Sequence, residues 1–206
     1  IFYDMGLLCM LGAVVGSRAE YFRTHWAQFA DHPASVFNIR DGGLVFYGGL
    51  VSTLVLFTAY FLYTKHPAWK ALDVLSPLAA FGHAIGRLGC FAAGCCYGDP
   101  CSLPWGINFP EGGIPPGDGP LHPTQLYAFT YNVGLGAFLL WYRGRQRFDG
   151  EVFLLYLGTY PLLRSLNEVF RGDMERGWAV EGLLTNAQAT SVLLAAVMWG
   201  LWFVKW

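Results

Sequence analysis

Six apolar stretches constrain the fold of this 206-residue chain more than any other feature. A helix needs about 20 mostly apolar residues to cross the hydrocarbon core of a bilayer, and only helices or closed barrels satisfy all backbone polar groups there. The sequence therefore predicts one all-α, polytopic transmembrane domain over residues 1–206. The predicted spans are Ile1–Gly16, Leu44–Tyr63, Asp73–Leu88, Tyr127–Tyr142, Val152–Phe170 and Ala187–Trp206.

The composition argues against two other classes of protein. Charged residues make up only 13% of the chain, about half of the ~25% typical of soluble domains, so a soluble monomer is excluded. The formal net charge of -1 gives nucleic acid no electrostatic reason to bind. The 8 Trp, 11 Tyr and 16 Phe suit a protein whose aromatic rings lie at two membrane interfaces.

The basic residues predict the orientation of the chain, because Lys and Arg of short loops are retained on the cytoplasmic side. The loops after the second and fourth spans, and the end of the chain, would then be cytoplasmic; they carry Lys65, Lys70, Arg143, Arg145, Arg147 and Lys205. The segments Ser17–Gly43, Gly89–Gln125 and Arg171–Asn186 would face outward. Since the sequence opens inside an apolar run without the basic region of a signal peptide, we expect a seventh helix to precede Ile1.

Three polar residues interrupt the fifth predicted span, and a fourth follows it directly. Tyr160, Arg164, Glu168 and Arg171 follow one another at helical spacings and are predicted to share one helix face. An arginine within the membrane costs at least ~2.5 kcal/mol on insertion scales, so such groups normally face a polar interior and pair. Glu168 is the predicted partner of Arg164. Either this pair only joins two helices, or the surplus guanidinium groups bind an anion.

The third predicted span carries a second set of polar and small residues. Gly82 and Gly86 form a small-xxx-small face for helix packing. Asp73 lies about four turns before Arg87 on roughly the same face. The glycines that follow Arg87 predict a non-helical segment that re-enters toward the membrane, and such a segment requires a polar cavity.

Three shorter motifs add polar residues near the same membrane face. GSRAEY places Arg18 and Tyr21 after the first span, and paired glycines bracket Tyr47 in DGGLVFYGGL, as part of a site or as a flexible helix entry. LHPTQLY places His122 and Gln125 at the start of the fourth span, where His122 is a site residue or an ordinary cap. Because the planar guanidinium group fits phosphate oxygens, the arginines predict an anionic phospholipid headgroup as the ligand.

Four of the five cysteines, Cys90, Cys95, Cys96 and Cys101, lie within twelve residues. In an outward-facing loop they could form disulfides, such as Cys90–Cys95 or Cys96–Cys101, act as reactive thiols, or pack inertly. The CxxC spacing typical of zinc sites is absent. The sequence alone therefore predicts no metal site and no cofactor.

Five blocks, collinear over nearly the whole chain, resemble the prolipoprotein diacylglyceryl transferase family: GSRAEY (16–21), DGGLVFYGGL (41–50), GRLGCFAAGCCYG (86–98), HPTQLY (122–127) and YPLLRSLNEVFRGD (160–173). The resemblance implies a seven-helix enzyme of the bacterial inner membrane with an extracytoplasmic site. It would move the diacylglyceryl group of phosphatidylglycerol to the lipobox cysteine of a prolipoprotein. Arg87 and Arg164 match the essential arginines of the family, and five further positions match: Tyr21, Asp73, Tyr160, Glu168 and Arg171.

The chain departs from this family pattern at residues that matter for the chemistry. The family has His where this chain has Tyr47, and a tyrosine hydroxyl is a poorer base than an imidazole at neutral pH. It has Asn and Glu where this chain has Cys90 and Cys95. Either Glu168 or Tyr47 acts as the base, or the reaction has changed. Two alternatives therefore stay open, a thiol- or redox-active membrane protein and a non-catalytic lipid-binding subunit of a larger complex.

Overall fold

The structure, a computed structural model, describes residues 2–29, 43, 45–110, 119–172, 178–180 and 184–205. Within them the chain divides into two compact units, Ile1–Ala71 and Leu72–Trp206; the single transmembrane domain stays a prediction. A π-helical turn, Gly12–Gly16, joins the first two helices. The elements are α1 (Phe2–Leu11), α2 (Ser17–Thr24), α3 (Trp26–Phe29), α4 (Phe46–Thr64), α5 (Ala68–Ala92), α6 (Thr124–Arg143), α7 (Glu151–Glu168), β1 (Trp178–Val180), β2 (Leu184–Thr185) and α8 (Asn186–Lys205).

The helical membrane fold is confirmed, and each predicted span coincides with a helix over its described residues. By length and composition, three of the described helical segments are suited to cross a membrane: Tyr47–Thr64, α5 and α8. Helices α6 and α7 bury polar side chains such as Asn132 and Glu168, which lower their hydropathy. The prediction contained no strand, whereas β1 and β2 form a short antiparallel hairpin.

Two predicted boundaries were wrong for the same physical reason. The first helical region does not end at Gly16 but continues through α2 to Thr24, and α5 begins at Ala68 and ends at Ala92. A helix persists into the polar membrane interface, where its hydropathy falls although its backbone hydrogen bonds continue. The non-helical segment predicted directly after Arg87 therefore begins only at Ala93.

Glycines allow close contact between backbones in the first unit. A Cβ atom added at Gly16 would clash with Ser52 and with the carbonyl group of Gly48, and one added at Gly48 would clash with Glu20 and the carbonyl group of Gly16. Small residues at such crossings let two helices approach closely. The glycines after Tyr47 therefore pack α4 against the π-helical turn and α2, whereas Gly42 on its other side lies outside the described residues.

The apolar core of the second unit lies along α7. Leu135 and Leu139 of α6 are buried together with Val152 and Leu155 of α7. Aromatic side chains pack against this cluster from α6, α7 and α8; they are Tyr142, Tyr156, Tyr160, Trp199 and Trp202. Helix α7 therefore contacts both α6 and α8.

The amino-terminal end of α7 is capped by a carboxylate from another helix. The buried Asp73 of α5 accepts hydrogen bonds from the backbone N–H groups of Gly150, at 2.6 Å, and Phe153, at 3.0 Å. The first N–H groups of a helix have no partner within it, and negative charge is favoured there. Asp73 lies about 21 Å along α5 from Arg87, so its predicted place on the same membrane face as the arginines was wrong.

A second buried carboxylate stabilises the same end of α7. Glu151 accepts hydrogen bonds from the hydroxyl group of Tyr142 at 2.7 Å, the indole N–H of Trp202 at 3.2 Å and the backbone N–H of Arg147 at 2.5 Å. These partners come from α6, α8 and the loop between α6 and α7. This end of the unit is therefore held by a saturated set of hydrogen bonds.

The other end of α7 packs against the loop that follows α5. Gly98 forms an isolated β-bridge with Arg171, and the backbone N–H of Asp99 donates to the carbonyl oxygen of Phe170 at 2.9 Å. About two turns before the end of α7, Pro161 lies inside the helix and is buried. The loop after α5 is thus anchored directly where α7 ends.

The packing role predicted for two glycines in α5 stays a prediction. A Cβ atom added at Gly82 or Gly86 would meet no other atom within 4 Å, and both residues are exposed among the described residues. Their spacing matches a packing motif, but the motif does not say whether a partner helix lies opposite. The structure instead brings Phe81 against Gly136 of α6.

Candidate functional site

Helices α5 and α7 run parallel in a fixed register, and this register pairs their functional residues. Asp73 contacts Gly150, and His83 contacts Tyr160, at the same sequence separation of 77 residues. Arg87 and Arg164 are separated by the same number of residues. The register therefore places these two arginines beside each other, one turn beyond the contact between His83 and Tyr160.

Three arginines and one carboxylate occupy the carboxyl-terminal end of α7 and the end of α5. Arg164 and Arg171 each lie 3.5 Å from the Oε2 atom of Glu168. The Glu168 side chain is only 6% exposed, against 25% for Arg164 and 14% for Arg171. The predicted partnership of Arg164 with Glu168 is confirmed. Arg171 lies beyond the last residue of α7, so it reaches Glu168 from the loop and not from the predicted helix face.

The arginines retain buried donors without partners in the described part of the chain. The Nε atom of Arg87 and the Nη1 atom of Arg164 are buried and form no hydrogen bond there. A buried donor that lacks a partner costs about 1 to 3 kcal/mol, and more when the group is charged. Among the described residues, this end of the unit therefore keeps buried guanidinium donors that are available to an anion.

Two residues that the sequence motifs did not indicate join this group. The Nε2 atom of His83 lies 3.4 Å from the hydroxyl oxygen of Tyr160, with the two rings 5.0 Å apart. The charges of Arg87 and Arg164 both reach His83 and also Tyr131 of α6. The spacing of His83 four residues before Arg87 could have shown that they share a face. No comparable signal in the sequence pointed to Tyr131.

The loop after α5 brings three of the cysteines together. The sulfur atoms of Cys90, Cys95 and Cys96 all lie within 4.8 Å of one another, and each of the five cysteines is a free thiol in the structure. Cys101 is buried and lies outside this group. Burial, with Cys96 and Cys90 close by, raises the pKa of the Cys95 thiol to about 12. Cys95 is thereby a poor nucleophile, since the thiolate is the reactive form.

The start of α6 holds this cysteine loop in place. The Thr124 hydroxyl group donates to the carbonyl oxygen of Cys96 at 2.5 Å, and the Gln125 amide group donates to that of Cys95 at 2.7 Å. His122 does not cap α6; its Nδ1 atom lies 3.0 Å from the hydroxyl group of Tyr127. Gln125 therefore supports the loop, and His122 belongs to the polar and aromatic contacts beside it.

The three site residues predicted in the first unit lie around α2 and α4. Arg18 donates to the carbonyl oxygen of Gly43 at 3.1 Å, and its guanidinium carbon lies 5.4 Å from the ring centre of Tyr21. Tyr47 is 73% exposed and lines a cavity of about 340 Å³ together with Glu20 and other residues of this unit. The structure thus groups Arg18 with Tyr21, and separately groups Arg87, Arg164, Arg171, Glu168 and Tyr160.

The sequence of the chain is similar to those of known transferases. A phosphatidylglycerol--prolipoprotein diacylglyceryl transferase of Clostridium tetani is 34% identical over 174 residues, which cover 83% of this chain and 68% of the relative. Proteins of the same name are 34% identical over 204 residues in Nitratidesulfovibrio vulgaris, covering 98% of this chain and 75% of the relative, and 33% identical over 209 residues in Legionella pneumophila, covering 98% and 78%.

The comparisons lend no support to the two alternatives, a redox-active membrane protein and a subunit of a larger complex. A family model described as prolipoprotein diacylglyceryl transferase matches residues 1–204. The chain therefore belongs to the prolipoprotein diacylglyceryl transferase family.

Proposed function

We propose that this chain transfers the diacylglyceryl group of phosphatidylglycerol to the thiol of a prolipoprotein cysteine, with Arg87 and Arg164 binding the phosphate. The thiolate attacks the glyceryl carbon and forms a thioether. The bond between that carbon and the phosphate oxygen breaks, and glycerol phosphate leaves with the bonding electrons. The thiol loses its proton, because the thiolate is the nucleophile.

The unpaired donors of the two arginines carry this proposal. The Nε atom of Arg87 and the Nη1 atom of Arg164 are both buried without a hydrogen-bond partner among the described residues, and the charges of both arginines act on His83. The leaving phosphate gains negative charge as the carbon–oxygen bond breaks. Fixed donors aimed at developing charge in a water-poor site lower the barrier more than the same donors in water.

Glu168 and Tyr160 orient the two arginines. Glu168 lies 3.5 Å from Arg164 and from Arg171, which limits how far either guanidinium group can turn. The Tyr160 hydroxyl group lies 3.4 Å from the Nε2 atom of His83, and the charges of Arg87 and Arg164 both act on it. We assign Tyr160 as a positioning group. Glu168 also positions the arginines, and it stays with Tyr47 one of the two candidates from the sequence for the base that deprotonates the acceptor thiol.

We further propose that the site faces the extracytoplasmic side of the bacterial inner membrane. Arg143, Arg145 and Arg147 lie in the last turn of α6 and the loop before α7, at the end opposite Arg164. The Nζ atom of Lys205 lies 6.0 Å from the ring centre of Phe148 in that same loop. Basic residues at one end of a helical membrane protein favour a cytoplasmic location for that end.

The proposal is tested by transfer of labelled phosphatidylglycerol to a lipobox peptide in detergent. Arg164→Ala is expected to reduce transfer by about 100-fold or more, the scale reported for loss of one donor to a developing anion. Arg143→Ala, an exposed arginine at the other end of the unit, is the matched control and should keep native activity. Native activity in Arg164→Ala would contradict the assigned site, and an inactive native chain would contradict the proposed reaction.

A further inference from the structure

Three thiols with metal-ligand geometry remain outside the proposed transfer site. Cys90 lies in the last turn of α5, and Cys95 and Cys96 lie in the loop that follows. Their sulfur atoms are all within 4.8 Å of one another. A Zn–S distance of about 2.3 Å in a tetrahedral site sets neighbouring sulfurs about 3.8 Å apart. Small side-chain rotations would therefore bring the three sulfurs onto one ion.

The backbone of the loop holds this arrangement. The Cys95 N–H group donates to the carbonyl oxygen of Cys90 at 3.1 Å, which closes the turn. Gly94 and Cys96 both adopt the left-handed conformation, with φ of 67° and 60°. A residue with a Cβ atom rarely takes this conformation, so the turn directs the Cys96 side chain toward its two neighbours at an energetic cost.

Two buried side chains of α6 fix the loop from the other side. Thr124 and Gln125, 1% and 0% exposed, bind the carbonyl oxygens of Cys96 and Cys95. The three cysteines themselves are half-buried, so an ion can reach them. The spacing C-x4-C-C does not match the usual zinc motifs. The turn nevertheless brings the three sulfur atoms close enough together to form a cluster.

We propose that Cys90, Cys95 and Cys96 bind one thiophilic divalent metal ion of the zinc class through three thiolates, with a fourth coordination position open to an external thiol. Each cysteine releases its proton on binding, and the ion compensates the three negative charges. No fourth histidine, cysteine or acidic residue joins the group within the residues that the structure describes. Three protein ligands with one open position are typical of zinc sites that take part in reactions.

The position of the cluster links it to the transfer chemistry, a step that rests on the proposed function. Cys90 lies three residues after Arg87 and therefore on the same side of α5. Cys96 lies two residues before Gly98, which forms a β-bridge with Arg171. A metal-bound thiol loses its proton readily. The ion would therefore make a base such as the family's histidine unnecessary, and this chain has Tyr47 in place of that histidine.

Cobalt(II) is the probe for the metal site, because its bonds to thiolates absorb in the near ultraviolet. The reduced, metal-free full chain in detergent is expected to bind one cobalt ion with this absorption. Cys95→Ser should weaken binding at least tenfold, whereas Cys9→Ser, outside the cluster, should bind like the native chain. Three results would each overturn the site. The native chain binds no cobalt, or the triple Cys→Ser variant of the cluster still binds it. The third is a disulfide between two cluster cysteines, found by mass spectrometry of the alkylated, purified protein.

A lipobox peptide tests the open position. The peptide is expected to increase the thiolate-to-cobalt absorption by about one third, because a fourth thiolate joins three, while the same peptide with serine should change nothing. An unchanged spectrum with the cysteine peptide would overturn the open position. Cobalt binding without any transfer by the native chain would contradict only the proposed function. Native transfer by the triple Cys→Ser variant would contradict only the role of the metal.

Discussion

The two ends of α7 hold buried charge in opposite ways. At its amino-terminal end, Asp73 and Glu151 are saturated by hydrogen bonds from backbone and side-chain donors. At its carboxyl-terminal end, Arg87 and Arg164 keep buried donors that no described residue satisfies. A buried charge with all of its partners serves stability, whereas one with missing partners points to a ligand. The contrast separates the residues that build this unit from those that act in it.

The largest expected effect tests the unsatisfied end. Arg87→Ala should reduce transfer by about 100-fold or more and leave the midpoint of thermal unfolding in detergent nearly unchanged. Arg87→Lys keeps the charge but loses the planar fork, so it should recover only part of the activity. A variant that loses stability in proportion to activity would show that Arg87 is a structural residue like Asp73.

The converse change tests the saturated end. Asp73→Ala should lower the free energy of unfolding by about 2 kcal/mol, because two backbone donors of α7 lose a charged acceptor. Transfer per folded molecule should stay within a factor of two of the native value. The matched control is Asp149→Ala, an exposed carboxylate beside the same helix start, which should change neither quantity. Loss of transfer in folded Asp73→Ala would restore the predicted site role of Asp73.

Glu168 lies between the two categories, since it is buried but pairs with the site arginines. Glu168→Gln should reduce kcat about tenfold, because the amide still fits between Arg164 and Arg171 but no longer holds them by charge. A positioning role predicts that the dependence of kcat on pH keeps its native shape. A drop of about 1000-fold, or loss of one limb of the pH profile, would identify Glu168 as the base instead.

The smallest effect concerns the hydroxyl group of Tyr160. Tyr160→Phe removes one neutral hydrogen bond, that with His83, and should lower transfer about threefold, in line with a net hydrogen-bond energy of roughly 0.5 to 1.5 kcal/mol. Tyr156→Phe is the matched control, because the Tyr156 ring stacks on Tyr160 at 5.7 Å and has no described contact with the arginines. Equal losses in both variants would trace the effect to packing.

Much of the fold followed from hydropathy alone. Apolar length located all six helical regions, and helical spacing predicted that Arg164 pairs with Glu168. Hydropathy could not place the helix ends, because α2 and the last turns of α5 are polar yet helical. Hydropathy also could not show that Asp73 and the arginines lie at opposite ends of α7. A shared face of α5 does not reveal which end of α7 each residue contacts.

The candidate site was harder to predict where it depends on packing between helices. The contact of His83 with Tyr160 follows from the parallel register of α5 and α7, which no local pattern reveals. The three cysteines looked unlike a metal site because their spacing is unusual, and only the left-handed turn at Gly94 and Cys96 brings them together. The sequence therefore did not reveal the register between α5 and α7, nor which residues of the loop have a positive φ angle.

Pro161 interrupts the backbone hydrogen bonds of α7 between the end that holds the buried carboxylates and the end that holds the arginines. Proline has no N–H group, so the carbonyl group one turn earlier loses its helical partner, and the helix consists of two hydrogen-bonded halves. The half that begins at Glu151 is fastened to three neighbouring elements, so its amides should exchange with deuterium slowly. The half that carries Arg164 and Glu168 lacks one backbone hydrogen bond at its start but is held at its end, where the N–H group of Asp99 donates to the carbonyl oxygen of Phe170. Its amides should therefore exchange faster than those of the first half, with the fastest exchange directly around Pro161.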